Sequence, residues 1–175
     1  MQALEIMAIR DDLRARLGGD WSHDSGGEDL DRIVVDEFGG EALSFATGQA
    51  DLPLDAQERL RAFAVVLNDV VGAHPACRVV LSGKADPRAM WMPSHPRDNL
   101  ELSALRAASV ASIFRQAAPV TVSGLHVVGL GEVGTQAPGK LTAGERDEYY
   151  RRYRTVSVEI RVNVVELGEH GAQSQ

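Results

Sequence analysis

The sequence is poor in the residues that most often announce a chemistry. Its 175 residues include one cysteine, Cys77, which excludes an internal disulfide and any zinc cluster built on cysteines. That thiol lies in the apolar run CRVVLSG and reads as a buried structural group. Basic residues are outnumbered: 18 Lys and Arg face 25 Asp and Glu, for a formal net charge of -7. A general nucleic-acid binder neutralises phosphates with Lys and Arg, so that class is set aside. No apolar run approaches the roughly 18 residues of a membrane span. The opening MQALEIMAIRDDLRARL has neither a continuous apolar stretch nor a small-residue cleavage site, so it does not read as a secretory signal. His23, His74, His95, His126 and His170 are too dispersed for a metal-ligand pattern. No G-x-S-x-G appears. Gly129-x-Gly131-x-x-Gly134 lacks the apolar helix that a dinucleotide loop must open, and reads as a turn. No cofactor, metal or catalytic residue is therefore expected.

What remains is enough apolar sequence, 44%, for one core and one domain with appendages. Residues 3–17 carry Leu4, Met7, Ile9, Leu13 and Leu17 among charges, the pattern of an amphipathic helix that needs a partner surface. GGDWSHDSGGED then supplies turn formers, and the boundaries predicted are helix and flexible linker over 1–28, a domain over 29–166 and a tail over 167–175. Within the domain, DRIVVDEF and EALSF around Gly39-Gly40 predict a hairpin. Leu60, Phe63, Ala64, Leu67 and Val70 recur at helical spacing after Pro53. CRVVLSG is a short interior strand, 99–117 a second helix ended before Pro119, and GLHVVGLG a third strand region. Residues 134–152 form a polar excursion with no assigned structure. RTVSVEIRVNV alternates strictly, with Val156, Val158, Ile160, Val162 and Val164 on one face. The order β-α-β-α-β-β predicts an α/β (α+β) two-layer sandwich, a mixed sheet with helices on one face.

One pair of charges does not fit a purely structural pattern. Leu102, Val110, Ile113 and Phe114 make the apolar stripe of the second helix, and Arg106 stands four residues from Leu102 and four from Val110, on that stripe. An inward guanidinium needs an anion, because an unpaired buried charge is costly. Asp86, just past the strand CRVVLSG, is the candidate, and Asn99 projects from the same helix face near its start, where Asp98 competes with it for the cap. Two readings stay open. Either Asp86 and Arg106 form an internal salt bridge, or Arg106 takes a ligand carboxylate while Asp86 takes a ligand ammonium, as an α-amino-acid end group would offer. Trp91 and Met92, in the loop between them, either line a groove or pin the loop.

These residues carry a resemblance. FATGQADL before a helix, VVLSGKAD, NLELSALRAASV, GLGE and RTVSVEIRV resemble, in that order, the OmpA-like peptidoglycan-binding domain over roughly 34–165. Asn99-x-x-Leu102-Ser103-x-x-Arg106-Ala107-x-x-Val110 fits the helix motif of that family without a mismatch. The long 86–99 segment and NLELS look more like the MotB-type stator branch, which includes stator-like subunits of the Zorya anti-phage systems. The resemblance implies the OmpA-like sandwich and a non-catalytic domain that grips the diaminopimelate end of the peptidoglycan stem peptide through Asp86 and Arg106, with Asn99 in support. Leu102 and Ser103 join the ligand-binding candidates through the same motif. It further implies a place in the cell envelope or periplasm as the soluble part of a membrane-anchored protein, a stator partner subunit and a homodimer; if Met1 is the native start, a cytoplasmic scaffold domain without wall binding is the alternative. Where the family has G-H-T-D, this chain has Gly83-Lys84-Ala85-Asp86. Lys84 thus becomes a candidate partner of Asp86 or of a ligand carboxylate. In Arg151-Arg152-Tyr153-Arg154, Arg154 is the expected equivalent of a family arginine before the last strand.

Overall fold

The computed structural model describes residues 2–17, 23–24, 32–38, 40–88, 96–119 and 124–162. Most of the expected linker, Trp91 and Met92, Val164 and the 167–175 tail lie outside the described residues. In chain order the elements are α1 (Gln2–Leu17), β1 (His23–Asp24), β2 (Arg32–Val35), β3 (Glu37–Phe38), β4 (Glu41–Ala42), α2 (Leu54–Ala73), β5 (Cys77–Ala85), α3 (Asn99–Ala117), β6 (Leu125–Glu132), α4 (Ala143–Arg151) and β7 (Val156–Val162). A mixed sheet runs β1-β2-β7-β5-β6, with β5 and β6 parallel and every other neighbour antiparallel. The connection from β5 to the parallel β6 is α3, the crossover that parallel pairing demands.

The expected sandwich is observed. Alternation in β7 puts Val156, Val158 and Ile160 in the core, while Glu159 and Arg161 pair with each other on the opposite face at 2.7 Å. The helices α2 and α3 bury the stripes read from their spacing, and Phe63 stacks edge-on between Phe38 and Phe114. Ile9 and Leu13 of α1 are fully buried in this same core, so the partner surface that the first helix needs is supplied largely by α2.

Three local outcomes sharpen the sequence reading. The predicted hairpin divides: β2 joins the main sheet beside β7, whereas Glu37–Phe38 and Glu41–Ala42 form a small separate ribbon. The polar stretch at 134–152 contains α4, started by a capping box in which Thr142 and Glu145 satisfy each other's backbone donors. Its charges obscured it because a short, solvated helix needs little apolar periodicity. Finally, α3 lies almost on the strands beneath it. A Cβ at Gly83 would overlap the Ser103 carbonyl oxygen, and one at Gly129 would come 2.8 Å from the Ala104 nitrogen. These glycines serve close approach, at a point where β5 and β6 slip in register between Gly83 and Ala85.

Candidate functional site

At the C-terminal end of β5, where parallel strands hand over to a helix, five charged side chains meet. Asp86 is 8% exposed, and its partners are Arg88 and Arg154 rather than Arg106. Arg88 donates from Nη2 and Nε to the two carboxylate oxygens at 2.6 and 2.9 Å, and its backbone N–H adds a third bond at 3.1 Å. Arg154 reaches the same carboxylate at 3.4 Å and Asp147, on α4, at 2.9 Å. Asp147 also accepts from the Thr47 hydroxyl at 2.9 Å.

Arg106 is fully buried, as its place on the apolar stripe requires. Of the two open readings, the internal Asp86–Arg106 salt bridge is not formed: the guanidinium donates to the backbone carbonyls of Gln49 and Lys84, each at 2.9 Å, and of Ala46 at 3.3 Å. Its carbon centre lies 5.2 Å from the centroid of the Phe45 ring. Three carbonyls stand in for a carboxylate without neutralising the charge. Burial therefore pushes this guanidinium down to about 10, with the neighbouring Arg154 charge adding to the push and Asp86 opposing it. It remains cationic at neutral pH.

The other candidates fall into two groups. Asp98 takes the cap of α3, accepting from the Glu101 N–H, which leaves Asn99 free to hold the strand end. The Asn99 amide donates to the carbonyls of Arg88 at 2.7 Å and Asp86 at 3.3 Å, fixing the turn that presents both charges. Ser103 is likewise positional: its hydroxyl donates to the Leu100 carbonyl and accepts from the Gly131 N–H, both at 2.8 Å, tying α3 to β6. Leu102 is buried beside it. Lys84 enters through its backbone, accepting from Arg106 and donating to the Thr155 carbonyl at 2.9 Å. Arg154, 2% exposed, belongs to the charge cluster and also donates to the Phe45 carbonyl at 2.9 Å.

Arg88, Asp147 and the aromatic ring of Tyr150, 4.5 Å beneath the Arg88 guanidinium, were not anticipated. A signal for Arg88 was present in Asp86-Pro87-Arg88, since a residue two places on can fold back onto a carboxylate. Asp147 carried none, because only the fold of α4 brings it there. Beside the cluster opens a cleft of about 750 Å³, lined among others by Phe45, Thr47, Gln49, Arg59, Asp147 and Arg154. Among the described residues no group of acids, histidines and cysteines is arranged to hold a metal, and no helix is long and apolar enough to cross a membrane.

The acids fix the pH response. Burial works to raise Asp86, but hydrogen bonds and charge from Arg88, with the charge of Arg154, outweigh it and hold the carboxyl below its ordinary value of 3.8. Asp147 is lowered as well, first by the Arg154 hydrogen bond and then by Thr47. A depressed acid contributes stability that is complete above the unfolded value and is lost as pH falls through the folded one. The thermal midpoint is accordingly expected to be level from about pH 8 to pH 5 and to fall below about pH 4. The acid limb should be shallower in Asp86→Asn, as a pH series of melting curves would record.

Comparison with known proteins places this arrangement in a fold. No protein-family model and no curated protein sequence matches the chain. Solved structures do. A MotB-like protein from Desulfovibrio vulgaris superposes with a TM-score of 0.62 at 22% identity, covering 92% of this chain and 98% of its own. The periplasmic domain of Helicobacter pylori MotB gives 0.60 at 15% identity over 90% and 89%. The cell wall anchor of the type VI secretion system of Pseudomonas aeruginosa gives 0.55 at 21% over 88% and 94%. The chain thus has the OmpA-like fold of MotB-type periplasmic domains.

Proposed function

We propose that this chain is a non-catalytic peptidoglycan-binding domain that grips the diaminopimelate end of the stem peptide and so anchors a membrane-bound, stator-type complex to the cell wall. The observation that carries the reading is the clustering of Asp86, Arg154 and Asp147 beside an open cleft, at the end of the strand that Arg106 clamps. A zwitterionic amino-acid end presents one ammonium and one carboxylate. Asp86 is the ammonium acceptor, and Arg154, which lines the cleft, supplies donors for the carboxylate, since Arg106 directs its own to backbone carbonyls. The likeness to a MotB domain and to a cell wall anchor supports this placement. It extends to a location in the envelope or periplasm, a homodimer and a stator partner subunit.

Sedimentation with insoluble peptidoglycan tests the reading, and Asp86→Asn is the diagnostic variant. Asparagine keeps the shape and one acceptor while removing the charge. Arg154 retains Asp147 and the Phe45 carbonyl, so the stability cost is about 1–2 kcal/mol. Loss of a charge-assisted bond to the ligand, about 1.5–3 kcal/mol, should lower retention roughly tenfold or more. Undiminished retention by a folded Asp86→Asn protein would sink the mechanism. One observation favours a second reading, the same fold serving as a scaffold without wall binding: Asp86 already holds a cation of its own chain, Arg88. On that reading the wild-type protein does not sediment with peptidoglycan at all.

A further inference from the structure

The three guanidiniums of the cluster are not equivalent. Arg106 is fully buried and Arg154 is 2% exposed, each locked to backbone carbonyls, whereas the Arg88 side chain is 32% exposed. Yet Arg88 makes the tightest contact with Asp86, covering both carboxylate oxygens. A ligand ammonium directed at Asp86 would find the acceptor filled.

We propose that Arg88 is a specificity-determining residue that acts as a built-in competitor for the cationic part of the ligand. Its guanidinium occupies the ammonium position on Asp86, and binding exchanges one cation for the other. This rests on the wall-binding reading above and names what limits it in this chain. The exchange is physically open, because the displaced guanidinium has somewhere to go. Its Nη2 already lies 3.7 Å from Asp147 and 3.3 Å from the Thr47 hydroxyl, and its carbon centre stacks on Tyr150. A short swing away from Asp86 would keep an acid and an aromatic face as partners. Asp86 meanwhile retains Arg154, so a ligand ammonium replaces only the outer of its two cations. A ligand with carboxylates and no ammonium has no need to displace Arg88. Arg88 therefore discriminates between two otherwise similar ends.

Titration of the wild-type chain, Arg88→Ala and Arg88→Gln with meso-diaminopimelate and with pimelate, the same dicarboxylate without amino groups, tests this directly. Sedimentation with peptidoglycan runs in parallel, and melting curves confirm folding. Removing the competitor is expected to raise affinity for diaminopimelate, and peptidoglycan retention, about fivefold or more while leaving pimelate unchanged or weaker. The glutamine variant, which stays polar without the charge, should follow the alanine one. Wild-type binding that is unchanged or reduced in both variants would overturn the competitor role and leave the wall-binding reading intact. Equal gains for diaminopimelate and pimelate would also overturn it, since the ammonium would then not be what Arg88 opposes. Retention by the variants but not by the wild type supports both proposals, and absence of binding in all three proteins overturns both.

Discussion

Replacing Arg106 with alanine is expected to lower fold stability by about 3–5 kcal/mol, the upper range for truncating a large buried side chain, because three backbone carbonyls also lose their donor. In a domain of this size that is a fall in melting temperature of roughly 6–20 °C. The reason lies in what the guanidinium holds. It gathers the carbonyls of Ala46, Gln49 and Lys84, which come from the loop before α2 and from the end of β5, and it packs under Phe45. Alanine leaves those acceptors without their donor and opens a cavity where Arg106 stood, the largest fully buried side chain among the described residues. Lysine should rescue little, because one ammonium on a flexible stem cannot reproduce a planar fork across carbonyls from two segments. Chemical denaturation of the alanine and lysine variants measures this. A melting curve for Arg106→Ala within about 2 °C of wild type would show that the clamp carries no stability. The consequence for function is practical: loss of peptidoglycan retention in Arg106→Ala follows from an unfolded site as readily as from a lost ligand contact. Asp86→Asn separates the two.

This double role explains which parts of the site could be read from the chain. Position on a helical stripe is a property of spacing, so the inward direction of Arg106 was legible from Leu102 and Val110 alone. Its acceptors were not. Backbone carbonyls are present at every residue, and which three of them converge depends on how residues 46–49 pass over the end of β5. Asp86 was likewise visible as an acid after an apolar strand, but its true partners came from opposite sources. Arg88 is two residues away, and Arg154 is 68 residues away and brought in by β7 pairing with β5. Sequence separation is a poor guide in both directions: Arg106 and Lys84 are the partners the sequence offers Asp86, and the carboxylate pairs with neither. The sandwich was legible because periods of two and of three to four residues are imposed by burial on one face. The helix α4 was not, since its residues are largely exposed and its start is set by a capping box rather than by an apolar stripe. Asp147 was hidden with it.

A second large effect is expected at Gly83, the first residue of the segment that ends in Asp86. Gly83→Ala should cost about 3 kcal/mol or more, at or beyond the upper end for overpacking a well-filled interior, and lower the melting temperature by roughly 6–12 °C. The added Cβ would run into the Ser103 carbonyl group and lie 3.1 Å from the Ala107 nitrogen, both main-chain atoms of α3 that no rotamer change can move aside. Relief requires the helix to withdraw from the sheet. Withdrawal in turn stretches the 2.9 Å bond from Arg106 to the Lys84 carbonyl, the residue next to Gly83, and loosens the Asn99 contacts that shape the turn at Asp86. Packing and site geometry therefore fail together, and peptidoglycan retention should fall although no charge of the cluster has been altered. Asp86→Asn should show the opposite pattern, a marked loss of retention with a small change in melting temperature. A Gly83→Ala protein that melts like the wild type would mean that α3 does not sit this close to β5. The clamp on Lys84, which depends on that approach, would fall with it.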